Sequence, residues 1–191
     1  MYKLELDPKE LEQAEILLEA ANKNIHKVLA RSLNRTAQMS KTKQNRLIRQ
    51  GYNIPAQIIR VRIKLQKSTP GKLEAIVLNS SSRVSLDQFK VNKQNPGHYT
   101  EEIKVSVKKG APRTLEGGFW AFFKSKPNNL GLYNRAGTGR DTLEKLYGPS
   151  TYQMGTNEKI QDVLEKEASE NFSKRFEHEF LRELGIKWHR Y

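Results

Sequence analysis

Apolar positions in the first forty residues fall at spacings of three and four. Leu11, Ala14, Leu18, Ala21, Ile25 and Val28 form one stripe, and Leu29, Leu33 and Ala37 continue it on an adjacent line. That period belongs to a helix with one buried face. Asp7-Pro8-Lys9-Glu10 supplies a start: Asp caps a helix, Pro suits the first helical position, and Glu three residues after Asp completes a capping box. The pattern predicts one helix from Pro8 to about Gln38, roughly 45 Å long at about 1.5 Å per residue. Ahead of it, Tyr2 to Leu6 alternates as a short strand does. Ser40 reads as the cap of a further helical stretch through Arg49, with Gly51 as its stop. The next stretch, AQIIRVRIKLQ, is ambiguous. Pro55 marks a helix start, whereas Ile59, Val61, Ile63 and Leu65 alternate with cations like a strand; a helical beginning and a break at 68–71 are expected.

The period then changes to two. Lys72–Leu78, Arg83–Phe89 and Glu102–Val107 read as extended, the second with Val84 and Leu86 on one face. Phe119–Phe123 reads as a buried strand and Leu132–Arg135 as a short one. Asn92–His98 is expected to be a loop, Asn128-Asn-Leu-Gly131 a turn, and Gly137–Arg140 a turn or an exposed loop. Helical spacing returns from about Asn157 to Leu184, where Ile160, Val163, Leu164, Ala168, Phe172, Phe176, Phe180 and Leu184 line one face and Gly185 ends it. Between sheet and helix, Gly148-Pro149-Ser150 is expected to form a turn, with Leu146 and Tyr147 packing it onto the core. The whole predicts an α+β fold, a long N-terminal helix and a C-terminal helix packed on an antiparallel β-sheet. We expect one domain over 1–191, with a basic helical part at 8–67, the sheet at 72–135 and the last helix at 157–184.

Charge sharpens this picture. The chain of 191 residues has a formal net charge of +13. From Ala20 to Leu73 there is no Asp or Glu but 13 Lys and Arg, so the other 21 cations balance the 21 carboxylates elsewhere. Lys23, Lys27, Arg31 and Arg35 repeat every four residues as a ridge on the first helix, and Arg46 and Arg49 follow. Such a concentration points to an anionic neighbour, either nucleic acid or an acidic protein surface.

Catalytic signatures are missing. With no cysteine, the chain has no disulfide, thiolate metal site or Cys nucleophile. His26, His98, His178 and His189 share no ligand spacing. Gly137-Thr-Gly139 lacks the Lys-Ser/Thr of a phosphate loop, and there is no Gly-x-Ser-x-Gly elbow. The carboxylates of the last helix (Glu158, Asp162, Glu165, Glu167, Glu170) fall mostly away from its apolar stripe, as solvated groups do. The Phe119–Phe123 aromatics lack interleaved cations and read as core rather than as a base-stacking platform. Neither an enzyme nor a cofactor is expected. No run of about 18 apolar residues suggests a membrane span, and Met1–Asp7 lacks the apolar core of a signal peptide. Two classes remain open: a sequence-nonspecific nucleic-acid binder using residues 20–73, and a structural assembly protein.

Several patches, in order, resemble the lambda-type prophage minor tail protein Z family. They are Leu33-Asn34-Arg35-Thr36-Ala37, the Pro-led basic stretch Ile54-Pro55 to Leu65, Arg83–Phe89, Ile103–Val107, Gly118-Phe-Trp-Ala121, Leu132–Arg135, and Leu146-Tyr147-Gly148-Pro149-Ser150. The loop between Phe123 and Leu130 departs from the pattern, being Lys-Ser-Lys-Pro-Asn-Asn where the family is richer in Arg. The resemblance implies a structural protein of the virion tail, present in the host cytoplasm during assembly. It would complete the tail at its head-proximal end for joining to the head. The implied partners are other tail and connector proteins, further copies in a ring, and DNA in the tail channel. Lys23, Lys27, Arg31, Arg35, Arg46 and Arg49 would face the DNA or the protein partner.

Overall fold

The computed structural model describes residues 8–20, 24–92, 102–121, 130–137 and 142–186. The Tyr2–Leu6 strand, the Asp7 cap, Lys23, the 92–98 loop beyond Asn92, Phe122, Phe123, Asn128 and Asn129 of the Asn128–Gly131 turn and the Gly137–Arg140 turn beyond Gly137 lie outside these residues. The chain is α+β, with its long N-terminal and C-terminal helices packed together. Contacts divide it into two units: residues 1–44, 63–78 and 157–191, and residues 45–62 and 79–156.

The first predicted helix is two helices. α1 spans Pro8–Ala20 and α2 spans Ile25–Gly51. The Asn24 side-chain oxygen accepts from the amides of His26 (2.8 Å) and Lys27 (3.4 Å), which caps α2 and starts it afresh. At the other end, α2 does not pause at Ser40. Ser and Thr hydroxyls inside a helix can bond the carbonyl four residues back instead of capping a new one. Ser32 does so to Val28 (2.8 Å) and Thr42 to Gln38 (3.0 Å), and the helix runs on for 27 residues, about 40 Å. Its buried face is unexpected. Between Val28 and Ile48 it carries, besides Ala30 and Ala37, the polar Ser32, Thr36, Ser40 and Gln44 at steps of four, whereas Leu33 is only half-buried.

In the first unit, α5 (Glu158–Glu183, numbered in chain order below) lies antiparallel to α2. Arg31 pairs with Glu183 and Lys43 with Glu167, and the Ser32 hydroxyl reaches the Arg175 carbonyl. Phe176 joins Ala14 and Leu18 of α1 and Ile25 and Val28 of α2 in one buried cluster. The ambiguous stretch after Pro55 resolves into both readings: α3 (Ala56–Arg62), then β1 (Ile63–Gln66) without a break. β1 pairs with β2 (Ile76–Asn79) through a turn in which Thr69 and Lys72 exchange backbone bonds of 3.0 Å. Lys72–Ala75, expected in the strand, precede it.

The second unit holds the remaining short strands. β3 (Arg83–Ser85) leads into a 3-10 turn at Leu86–Gln88, so the extended reading of 83–89 holds only for its first half. β4 (Lys90–Val91), β5 (Lys104–Ser106) and β6 (Arg113–Thr114) form one antiparallel sheet. β7 (Phe119–Ala121), β8 (Gly131–Arg135) and β9 (Leu143–Lys145) form another, with Trp120 opposite Leu132 and Asn134 opposite Glu144. β7 is half-buried rather than buried. Cations of neighbouring strands reach aromatics of this sheet: Arg135 of β8 lies over Phe119 of β7 (5.8 Å) and Lys145 of β9 over Tyr133 of β8 (6.0 Å).

Residues 147–150 are not a turn. Tyr147–Ser150 is β10, antiparallel to β3 and bulged between Tyr147 and Ser150. Ser150 then caps α4 (Thr151–Gly155) in a capping box with Gln153. Tyr147 is half-exposed; Leu146 ties in through its backbone, donating to Leu132 (2.8 Å) and accepting from Leu86 (3.0 Å). After α4, Asn157 caps α5 and Leu164, Ala168, Phe172 and Phe176 are buried at steps of four, while Val163 is exposed. Gly185, at φ +80°, lets Ile186 and Gly185 donate back to Leu181 and Arg182, a Schellman ending.

Candidate interaction surface

The cations singled out from sequence separate into different settings. Lys27 is exposed near the start of α2. Arg31 and Arg35 enter a common groove, whereas Arg46 and Arg49 are exposed on the last turns of α2, within the second unit. Lys23 lies outside the described residues.

The groove belongs to the first unit and encloses about 500 Å³. One wall is α2, through Arg31, Asn34, Arg35 and Gln38. The β1 end contributes Leu65 and Lys67, and α5 contributes Arg175, Glu179 and Arg182. Two of the five cations are already matched: Arg31 with Glu183 at 2.7 Å and Arg182 with Glu179 at 3.2 Å. Arg35, Lys67 and Arg175 have no carboxylate partner among the described residues. So α5 neutralises part of the basic segment, and Glu167, expected to be free in solvent, is paired with Lys43. Sequence reasoning passed over Arg175 and Arg182, because only the carboxylates of the last helix stood out there. The available signal was the four-residue step from Arg175 to Glu179, which places them on one face.

Asn34 positions the Lys67 side of this groove. Its side-chain amide donates to the Ser68 carbonyl (2.9 Å) and its oxygen accepts from the Ser68 amide (2.8 Å), as a neighbouring strand would. Ser68 is buried, so no water replaces a lost bond there. Asn34→Ala is expected to cost about 2 kcal/mol and to free the Ser68 amide for exchange, because a buried donor and acceptor lose their partners together. Unchanged melting together with a still-protected Ser68 amide would contradict this role. Beside it, Thr36 is buried and its hydroxyl lacks a hydrogen-bond partner among the described residues, as does the Gln44 side-chain oxygen. Thus Leu33-Asn34-Arg35-Thr36-Ala37 divides its tasks: Asn34 clamps, Arg35 faces the groove, and Thr36 and Ala37 face inward.

Among the described residues no three His, Asp or Glu side chains converge as metal ligands would, and no helix is long and apolar enough to cross a membrane. Neither the curated proteins nor the solved structures offer a match to the chain. The family model of prophage minor tail protein Z, however, matches residues 9–189. That span takes in α1 to α5 almost entirely, with the Asn34 clamp, the groove and the Leu146–Ser150 stretch inside it, and the chain therefore belongs to the prophage minor tail protein Z family.

Proposed function

We propose that the protein is a non-enzymatic structural component that completes the tail at its head-proximal end and prepares it for joining to the head. It works there as part of a ring of copies, in contact with neighbouring tail and connector proteins, after a cytoplasmic stage of assembly. The family match across nearly the whole chain carries this reading. Deleting the gene from its prophage and inducing particle formation is the test. Heads and tails should accumulate unjoined in electron micrographs and be rescued by the gene supplied in trans. Normal yields of joined, infectious particles would reject the role.

A second reading has its own observation. Arg35, Lys67 and Arg175 are cations without a carboxylate partner among the described residues, as on a surface that meets phosphates. Binding through about three phosphates should weaken about 40-fold between roughly 50 and 200 mM salt, irrespective of sequence. A gel-shift series on purified protein reads this directly. No retention of DNA even at the lowest salt would leave these cations to a protein partner.

A further inference from the structure

The first unit carries a second surface whose chemistry complements the groove. On α1, Leu11, Ala14 and Leu18 turn inward. Glu12, Glu15, Ile16 and Glu19 recur at helical spacing along an outward strip. Ile16 is 60% exposed and Leu17 beside it 54%, values that place two large aliphatic side chains in water. None of Glu12, Glu15 and Glu19 has an ion-pair partner among the described residues. α1 carries four Glu against one Lys, whereas α2 carries seven cations and no carboxylate.

We propose that the groove of one copy receives the α1 strip of a second copy. The three free carboxylates lie opposite the three free cations, Arg35, Lys67 and Arg175. Ile16 lies against Leu65 and the aliphatic stems of the lining cations, which cover apolar surface while their charged ends stay hydrated. This contact deepens the assembly reading above and rests on it. Groove and strip are different surfaces of the chain, so the contact is head-to-tail and propagates into a closed ring or an open filament.

The absence of cysteine makes the contact trappable in the full-length protein. Ile16→Cys and Gln38→Cys each introduce a single thiol at an exposed position, the second on the groove wall. Mixed and oxidised, the two proteins should yield a disulfide-linked heterodimer several-fold above that given by Ile16→Cys with Tyr152→Cys, an exposed site in the other unit. Reversing the groove (Arg35→Glu with Lys67→Glu) or the strip (Glu12→Lys with Glu15→Lys) should each lower the yield at least tenfold. Combining a reversed groove with a reversed strip should restore it, which a variant that merely failed to fold could not do. A yield at the control level, or one indifferent to charge reversal, overturns the proposal. So does a reversed groove that loses DNA retention while keeping the cross-link, since the groove would then be a nucleic-acid site. Unjoined tails in the deletion strain without the cross-link would overturn this contact and leave the assembly role standing.

Discussion

Phe176→Ala should lower stability by about 3–5 kcal/mol, the usual cost of emptying an aromatic site in a closed core. At about 2–4 °C per kcal/mol for a chain of this size, the melting midpoint falls by roughly 10 °C. Phe176 is the one aromatic among the buried members of its cluster, and it meets residues from both α1 and α2. Its ring also stacks on Phe180, centroids 6.1 Å apart, and truncation removes that contact too. Ala14 and Leu18 reach the core in this cluster, so the loss should loosen α1 first. Faster amide exchange in α1 than in β8, measured on the variant, reports it. A drop of less than about 3 °C would show that the site collapses around the gap.

Gly148→Val is the second large effect. A Cβ built on Gly148 stands 2.7 Å from Phe89 Cε2, 3.1 Å from Cζ and 3.3 Å from Leu86 Cδ2. The Phe89 ring is buried and has no flexible end to swing away. Overpacking of this kind costs about 1–3 kcal/mol, and the branched Val lies at the upper end. Gly51→Ala is the informative contrast. Nothing stands within 4 Å of a Cβ there and φ is not positive, so the substitution should be neutral or stabilise by up to about 1 kcal/mol. Equal urea midpoints for Gly148→Val and the parent would show that the β10 contact with Phe89 is not tight, and would turn attention to an interface role for Gly148-Pro149.

Sequence made the helical parts legible where burial and apolarity coincide. The α5 stripe from Leu164 to Phe176 and its Gly185 ending follow directly from spacing and from the one residue type suited to positive φ. The restart at Asn24 was hidden because Ala21, Ile25 and Val28 keep the three-four rhythm in sequence, and a cap can restart a helix without disturbing that rhythm. The inner face of α2 was hidden for the opposite reason. Ser32, Thr36, Ser40 and Gln44 look solvent-facing to any hydropathy rule, yet they are buried. Gly148 misled because a glycine before proline announces a turn, whereas here it serves close approach to a ring. For the candidate surface, charge located the basic segment but not its neutralisation. The pairs Arg31–Glu183 and Lys43–Glu167 join positions more than a hundred residues apart, beyond the reach of any local pattern.

The polar inner face of α2 bears on how its alignment with α5 is chosen. Helices normally lock by seating ridges of bulky side chains into grooves, so that a shift by one turn empties some seats and overfills others. Short hydroxyls raise no such ridge, and along Ser32, Thr36 and Ser40 a displaced neighbour meets nearly the same contour. The seat of Phe176 beside Val28 at one end is then joined in the indexing by two ion pairs twelve positions apart on α2, Arg31 with Glu183 and Lys43 with Glu167. A helix pair indexed in part by charge is one whose sliding coordinate answers in part to ionic strength and to any competitor for those carboxylates.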